Sequence, residues 1–267
     1  MLQRRPKFFS LIIPAFKEGR RIFNNLSSVL EDMKSFPYPY EVIVVIDGKV
    51  DNSFKEAKKI KSSFLKVVGY DVNRGKGYAI RYGIAKSKGD VVGFLDAGGD
   101  ISVKSLSMMI EELFWNNADV IIASKRHSLS RVNFPFRRRI MSWGYQKLVK
   151  LLFNLDVKDT QVGMKIYKRK VLEDVFPRLL VKKFAFDIEM LAVAHYLGYT
   201  RIHEAPVELN FNGASTIRSL RLWKTIFNML WDTAAVFYRL KIVRYYDNSN
   251  KRKWIYDKDL NFRINIG

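Results

Sequence analysis

Along the first half of the chain, short apolar runs alternate with longer stretches whose apolar residues recur every three or four positions. Phe8–Ile13 and Val42–Ile46 are nearly continuous apolar runs, the form expected of strands buried on both faces. Between them Pro14 ends the first strand. Glu18 opens an amphipathic helix through about Lys34, with Ile22, Leu26, Val29, Leu30 and Met33 at helical spacing. A polar helix is predicted from about Ser53, a strand around Leu65–Gly69, and a helix carrying Ala79, Ile80, Ile84 and Ala85 on one face. A strand at Val91–Leu95, a helix at about Val103–Trp115 and a strand at Val120–Ala123 follow. This alternation predicts an α/β domain with a parallel sheet covered on both faces.

Beyond Ser124 the pattern changes. Residues 125–150 hold eight Lys or Arg and no Asp or Glu, and Ile140, Gly144, Leu148 and Leu152 recur every four residues, which predicts a basic amphipathic helix over about 134–154. A strand is expected at Met164–Tyr167, a helix at Phe184–Leu197 and a strand near Arg201–Val207. Leu222, Ile226, Leu230, Thr233, Phe237 and Leu240, with Trp223 and Trp231, line a second basic helix, before a polar tail expected to be partly disordered. The expected division is 1–215 for the main domain and 216–267 for a C-terminal helix and tail.

The chemistry concentrates at predicted strand ends. Gly89–Asp100 reads GDVVGFLDAGGD, placing Asp96 at the end of a buried strand and Asp100 across a glycine turn. In open α/β sheets ligands collect at the carboxyl ends of strands. Carboxylates there suit a hard divalent cation such as Mg²⁺ or Mn²⁺, although an Asp-Gly turn that merely ends a strand fits the stretch equally well. Pro14 with Glu18, and Asp47 with Gly48, end two further strands, so three loops share one edge and make a nucleotide crevice. Asn73–Gly77 reads NRGKG, a basic glycine-rich turn that brings backbone N–H groups and Lys76 toward phosphates. It matches neither the dinucleotide fingerprint nor the Walker pattern. Asp187 and Glu189 read either as a helix cap and a surface carboxylate or as a carboxylate facing a reaction centre.

Composition narrows the partners. With 47 Lys and Arg against 26 Asp and Glu, the net charge of +21 favours anionic ligands or surfaces. The absence of Cys excludes disulfides and thiolate chemistry, and three His argue against a multi-histidine zinc site. Nucleic acid is the weaker partner class, since no RNA-binding aromatic motif, zinc finger or basic zipper is present. No uncharged run reaches the roughly 18 to 20 residues of a membrane span. Peripheral contact with an anionic membrane on its cytoplasmic face, through the two basic helices, is the expected mode.

Taken in order, the stretches IIPAFKE at Ile12–Glu18, EVIVVIDG at Glu41–Gly48, NRGKG at Asn73–Gly77, LDA at Leu95–Ala97, DTQVG at Asp159–Gly163 and FDIEML at Phe186–Leu191 resemble the family 2 glycosyltransferases. More narrowly they resemble polyprenyl-phosphate sugar synthases of the dolichyl-phosphate β-glucosyltransferase type. The resemblance implies a GT-A fold, a nucleotide-sugar donor such as UDP-glucose, a divalent cation and inverting transfer of a hexose to dolichyl or polyprenyl phosphate. It places Pro14, Phe16, Glu18, Asp47, Lys76 and Asp96 around the nucleotide, and Asp96 with Asp100 on the metal. Arg126, Arg138 and Ser142 then grip the acceptor phosphate, and Asp96, Asp159, Gln161 and Asp187 line the catalytic cleft. Two departures stand out: Gly98 replaces the second Asp of the family's D-x-D motif, and Ile46 replaces an acidic residue in its Asp-Asp-Gly turn. The resemblance also implies an N-terminal anchor in relatives from higher cells, one this sequence is expected to do without. Two alternatives stay open: the same fold with GDP-mannose or another donor or lipid acceptor, and a non-catalytic membrane- or nucleic-acid-binding protein on a degenerate transferase fold.

Overall fold

The computed structural model describes residues 5–98, 101–130, 136–181, 185–208, 219–250, 254–260 and 262–265, without the side chains of 136–142, 219–226, 254 and 262–265. Strands β1 (Phe9–Ala15), β2 (Tyr40–Asp47), β3 (Leu65–Tyr70), β4 (Val91–Leu95), β5 (Val120–Ser124), β6 (Met164–Lys168) and β7 (Ile202–Pro206) form one sheet in the order β3-β2-β1-β4-β6-β5-β7. Helices α1 (Arg21–Asp32), α2 (Ser53–Lys58), α3 (Lys76–Ala85), α4 (Leu106–Trp115), α5 (Phe136–Phe153), α6 (Arg169–Val175), α7 (Phe186–Tyr196) and α8 (Ser219–Phe237) connect or flank these strands. Every residue of β4 and β5 is buried, as their continuous apolar runs require.

The sheet is mostly parallel, as expected of a GT-A fold, with one strand reversed. The β1–β2, β1–β4, β2–β3 and β5–β7 pairs are parallel, but β6 runs antiparallel to both β4 and β5. Gly163, just ahead of β6, accepts the Asp96 N–H at 2.9 Å. The chain therefore enters β6 at the carboxyl edge of β4 and has to run back. Hydrophobic periodicity reports burial and carries no direction, so this reversal was invisible in the pattern.

One expectation is adjusted. On α5 the buried positions are Tyr145, Gln146, Val149 and Phe153, not the Gly144, Leu148, Leu152 series. The two series lie side by side on a helix, about 100° apart, and the core takes the one with the larger rings. The C-terminal tail contains a two-stranded hairpin, β8 (Trp254–Asp257) with β9 (Phe262–Asn265). Leu260 in its turn is fully buried, and Asp259 reaches Arg74 at 3.6 Å.

Helix α7 is buried throughout Phe186–Ala194. Glu189, one reading of which was a surface carboxylate, is fully buried. It accepts hydrogen bonds from the Leu180 and Val181 N–H groups and from the Tyr246 hydroxyl at 2.6 Å. Arg239 lies 3.6 Å away. One carboxylate thus ties the segment before α7 to the chain that follows α8. Neither Asp187 nor Glu189 makes a side-chain cap of the helix, whose N-cap is Ala185.

Candidate active site

The carboxyl ends of β1, β2 and β4 lie next to one another, because these strands are parallel neighbours. Pro14 belongs to the end of β1, and Phe16, just past it, is 41% exposed. Glu18 is mostly covered and lies 3.7 Å from Arg21. A cleft of about 270 Å³ opens beside this edge, bounded by Asn25, Asp32, Ser102 and Asp96.

Asp47 ends β2 and is almost fully buried, yet its carboxylate is well satisfied. It accepts from the Tyr70 hydroxyl at 2.9 Å, Asn73 Nδ2 at 2.8 Å, the Arg74 N–H at 2.7 Å and the Gly75 N–H at 2.9 Å. Its visible work is to shape the NRGKG turn. Gly75 sits at φ +93°, a backbone region that costs an L side chain and suits glycine. That turn delivers Lys76 as the first residue of α3.

Lys76 spans two carboxylates, with Nζ 2.9 Å from Asp96 Oδ1 and 3.2 Å from Asp187 Oδ2. The other Asp187 oxygen takes Lys165 Nζ at 2.6 Å, and Lys165 also donates to the Val162 carbonyl at 2.7 Å. Asp96, Lys76, Asp187 and Lys165 therefore alternate in charge from the open edge to the interior. Burial alone would push the Asp187 carboxyl up, but the Lys165 and Lys76 charges together hold it below the usual carboxylate value. On Lys76, burial works against the charge, and Asp187 and Asp96 outweigh it, so the ammonium is held above the usual lysine value.

Sequence reasoning missed Lys165. The signal was present: a lysine inside the apolar strand Met164–Tyr167, on which it is 98% covered (side chain 2% exposed). A buried ammonium demands a carboxylate partner, and Asp187 supplies it.

The DTQVG segment contacts the turn after β5, helix α5 and helix α8 in turn. Asp159 Oδ2 accepts the Lys125 N–H at 3.2 Å on the turn that carries Arg126. Thr160 accepts from Gln146 of α5 at 3.3 Å, and Gln161 donates to the Met229 sulfur of α8 at 3.0 Å. Burial pushes the Asp159 carboxyl up, against the pull of the nearby Lys125 charge and N–H. Gly163 packs directly behind Asp96, where an added Cβ would lie 2.7 Å from the carboxyl carbon. A Gly163→Ala variant should therefore displace Asp96 and lower any activity that depends on it by more than about tenfold, the methyl having no room beside the Asp96 side chain. Turnover measured alongside far-UV circular dichroism checks this; full turnover with the native spectrum would show that Asp96 tolerates the shift.

The structure thus brings together Asp96, Lys76, Asp187 and the 159–163 segment, with Pro14, Phe16, Glu18 and Asp47 along the same edge. Arg126 lies on the turn after β5, next to the Asp159 contact. Arg138 and Ser142 lie on α5, with side chains outside the described residues, and Asp100 is outside them altogether. A divalent cation takes hard oxygen ligands, and the half-exposed Asp96 carboxylate already holds a cationic group at 2.9 Å, so its donor chemistry fits such an ion. Among the described residues no three His, Cys, Asp or Glu gather around one point.

Residues 10–176 match the sequence model of Glycosyl transferase family 2. A dolichyl-phosphate beta-glucosyltransferase of Homo sapiens is 31% identical over 233 residues, covering 81% of this chain and 71% of the relative. One from Dictyostelium discoideum is 28% identical over 205 residues, covering 71% of this chain and 63% of the relative, so this chain spans under two thirds of that protein. Among solved structures, glucosyl-3-phosphoglycerate synthase from Mycobacterium tuberculosis, in complex with Mn²⁺, UDP and phosphoglyceric acid, superposes with a TM-score of 0.65 at 17% identity. That match covers 93% of this chain and 83% of the other. Mannosyl-3-phosphoglycerate synthase from Rubrobacter xylanophilus gives 0.65 at 14%, covering 94% and 84%. These likenesses establish the GT-A-like fold: a mostly parallel seven-strand sheet flanked by helices.

Proposed function

Because the chain belongs to glycosyl transferase family 2, we propose that it moves a hexose, glucose from UDP-glucose, onto dolichyl or another polyprenyl phosphate at the cytoplasmic face of a membrane. The observation that carries this reading is the Asp96–Lys76–Asp187 array at the carboxyl edge, with Gly163 of the DTQVG segment pressed against Asp96. The names of the human and Dictyostelium relatives support the sugar and the acceptor class.

The chemistry asks little proton transfer of the protein. A phosphate monoester is largely dianionic near neutral pH, its second pKa lying near about 6, so its oxygen can attack the anomeric carbon without a strong base. The C1–O bond to the leaving diphosphate breaks as the new bond forms on the opposite face, which inverts the centre. Alignment and charge compensation are then the main contributions. Lys76 offers an ammonium to the donor diphosphate. Arg126, with Arg138 and Ser142 on α5, holds the acceptor phosphate, and Asp159 and Gln161 fix the segment between acceptor side and donor side. Asp187 keeps Lys76 in place. A divalent cation, when bound by Asp96 and Asp100, would neutralise charge on the departing diphosphate.

The surface of α5 and α8 supports docking to an anionic lipid surface. Helix α8 carries apolar residues on two sides. On α8 and the π-helical turn Tyr238–Ile242 that follows it, Thr233, Val236 and Leu240 face the interior, while Phe227, Trp231, Tyr238 and Ile242 are each more than half exposed at helical spacing. Trp143 and Leu151 add exposed apolar area on α5, and Lys147 lies 3.8 Å over the Trp143 ring. Lys241 and Arg244 are exposed nearby. Aromatic rings beside cations suit the headgroup layer. Among the described residues no helix is long and apolar enough to cross a membrane. A Phe227→Ala/Trp231→Ala variant should bind vesicles containing anionic lipid roughly tenfold more weakly, from lost apolar burial. Sedimentation with such vesicles measures it, and undiminished binding would move the docking surface elsewhere.

The deciding assay follows labelled sugar from UDP-glucose, UDP-N-acetylglucosamine or GDP-mannose to a short polyprenyl phosphate, with Mg²⁺, Mn²⁺ or chelator. Chelator-sensitive transfer from UDP-glucose alone is the expected result. Transfer from another donor would keep the reaction class and change the sugar. No transfer from any donor by folded protein would reject the enzyme reading in favour of a binding protein on the same fold, for which Gly98 is the motivating departure.

A further inference from the structure

Lys76 holds the Asp96 carboxylate, the group through which this chain would bind a divalent cation. Its ammonium sits 2.9 Å from Asp96 Oδ1, so ammonium and metal ion compete for the same oxygen lone pairs. Asp96 is 48% exposed in its side chain and Lys76 29%, which leaves the pair open to an arriving ligand. The lysine side chain is a flexible four-carbon stem ending in a compact charge, anchored at the first residue of α3.

The deeper end of the array makes that movement inexpensive. Removing one partner from a buried ion pair is ordinarily costly, because the remaining charge is left uncompensated. Asp187 is not in that position. Its second oxygen keeps Lys165 at 2.6 Å, and Lys165 is itself steadied by the Val162 carbonyl at 2.7 Å. When Lys76 departs, the buried carboxylate still has its buried ammonium. Lys165 thus acts as the fixed counter-ion and Lys76 as the exchangeable one.

We propose that Lys76 couples donor and metal binding: it rests on Asp96 and Asp187 until a nucleoside diphosphate draws its ammonium away, and that departure frees Asp96 for the divalent cation. This rests on the transferase reading above and adds an order to it. The cation alone meets an occupied carboxylate and binds weakly. Together with a nucleoside diphosphate it meets a vacant one. By linkage, the cation must strengthen nucleotide binding by the same factor.

The test titrates Mn²⁺ into the full chain, reading free Mn²⁺ by electron paramagnetic resonance, with and without UDP. Wild-type protein should bind Mn²⁺ more tightly when UDP is present. Without UDP, a Lys76→Gln variant should bind Mn²⁺ roughly tenfold more tightly than wild type, a coupling of ordinary size for two linked sites. The further gain on adding UDP should shrink. A Lys76→Met variant, which has no side-chain oxygen, should behave alike and excludes coordination by the new amide. Adding Asp96→Asn to Lys76→Gln should abolish the gain.

Nucleotide-free Mn²⁺ affinity that is unchanged or weaker in both Lys76 variants would overturn the proposal. So would wild-type affinity that is indifferent to UDP, a result that needs no variant to fold. Retention of the gain without Asp96 would place the ion elsewhere and equally overturn it. Sugar transfer is not read in this experiment. Intact coupling with no transfer would reject the transferase reading alone, and transfer without coupling would reject the exchange alone.

Discussion

An Asp96→Asn variant should lose sugar transfer by about 10²- to 10³-fold while keeping its fold. The magnitude is that of removing one preorganised charge-stabilising group from a reaction centre, roughly 3–4 kcal/mol of transition-state stabilisation. Asparagine keeps the size and the backbone N–H bond to the Gly163 carbonyl, and it loses the charge that holds Lys76 and would hold a cation. Its effect on stability should stay within about 1 kcal/mol, since the Asp96–Lys76 pair is partly exposed and such pairs contribute little. Steady-state transfer and thermal unfolding, measured on the same preparation, separate the two effects. Full transfer with an unaltered melting curve would remove Asp96 from the mechanism.

The largest expected loss of stability belongs to Asp187→Leu. It strands the Lys165 ammonium, 2% exposed, with the Val162 carbonyl as its remaining hydrogen-bond acceptor. Breaking a buried pair from one side costs about 3–5 kcal/mol, which for a chain of this size lowers Tm by roughly 6–20 °C. Adding Lys165→Met should recover most of that loss, because an apolar pair replaces an uncompensated charge. Transfer should stay low in the double variant, since Lys76 has lost its second carboxylate. Recovery of stability without recovery of transfer is the expected outcome. A single variant as stable as wild type would show that Lys165 is neutral, and the alternating array would lose its basis.

These two residues show where the sequence was legible and where it was not. Asp96 could be placed at a strand end from the chain alone, because the buried apolar run itself sets the strand, while a plain turn and a ligand site fitted the stretch equally well. Asp187 could be chosen over Glu189 only through a family resemblance. Its helix is apolar on all sides, so its spacing does not say which way the carboxylate faces. Glu189, two residues further on, faces another direction and braces Tyr246 and the segment at Leu180. Lys165 was overlooked because strand patterning treats each position as apolar or polar, and a buried lysine is neither error nor noise once its partner is known. On α5 the chosen stripe was one residue off, since neighbouring stripes on a helix differ by a rotation that only the opposing surface can select.

The sequence by itself determined the seven strands of the main sheet, most of the helices, their order, the basic character of α5 and α8, and the edge at which Asp47 and Asp96 lie. Those features follow from local rules: the period of the apolar positions, the turn residues and the charge. Only the tertiary structure decided that β6 runs backward, that Gly163 presses on Asp96, and that Lys76 and Lys165 sit on opposite oxygens of Asp187. Each of these joins residues far apart in the chain, and their contacts arise from the packing of strands and helices whose relative direction no local pattern encodes.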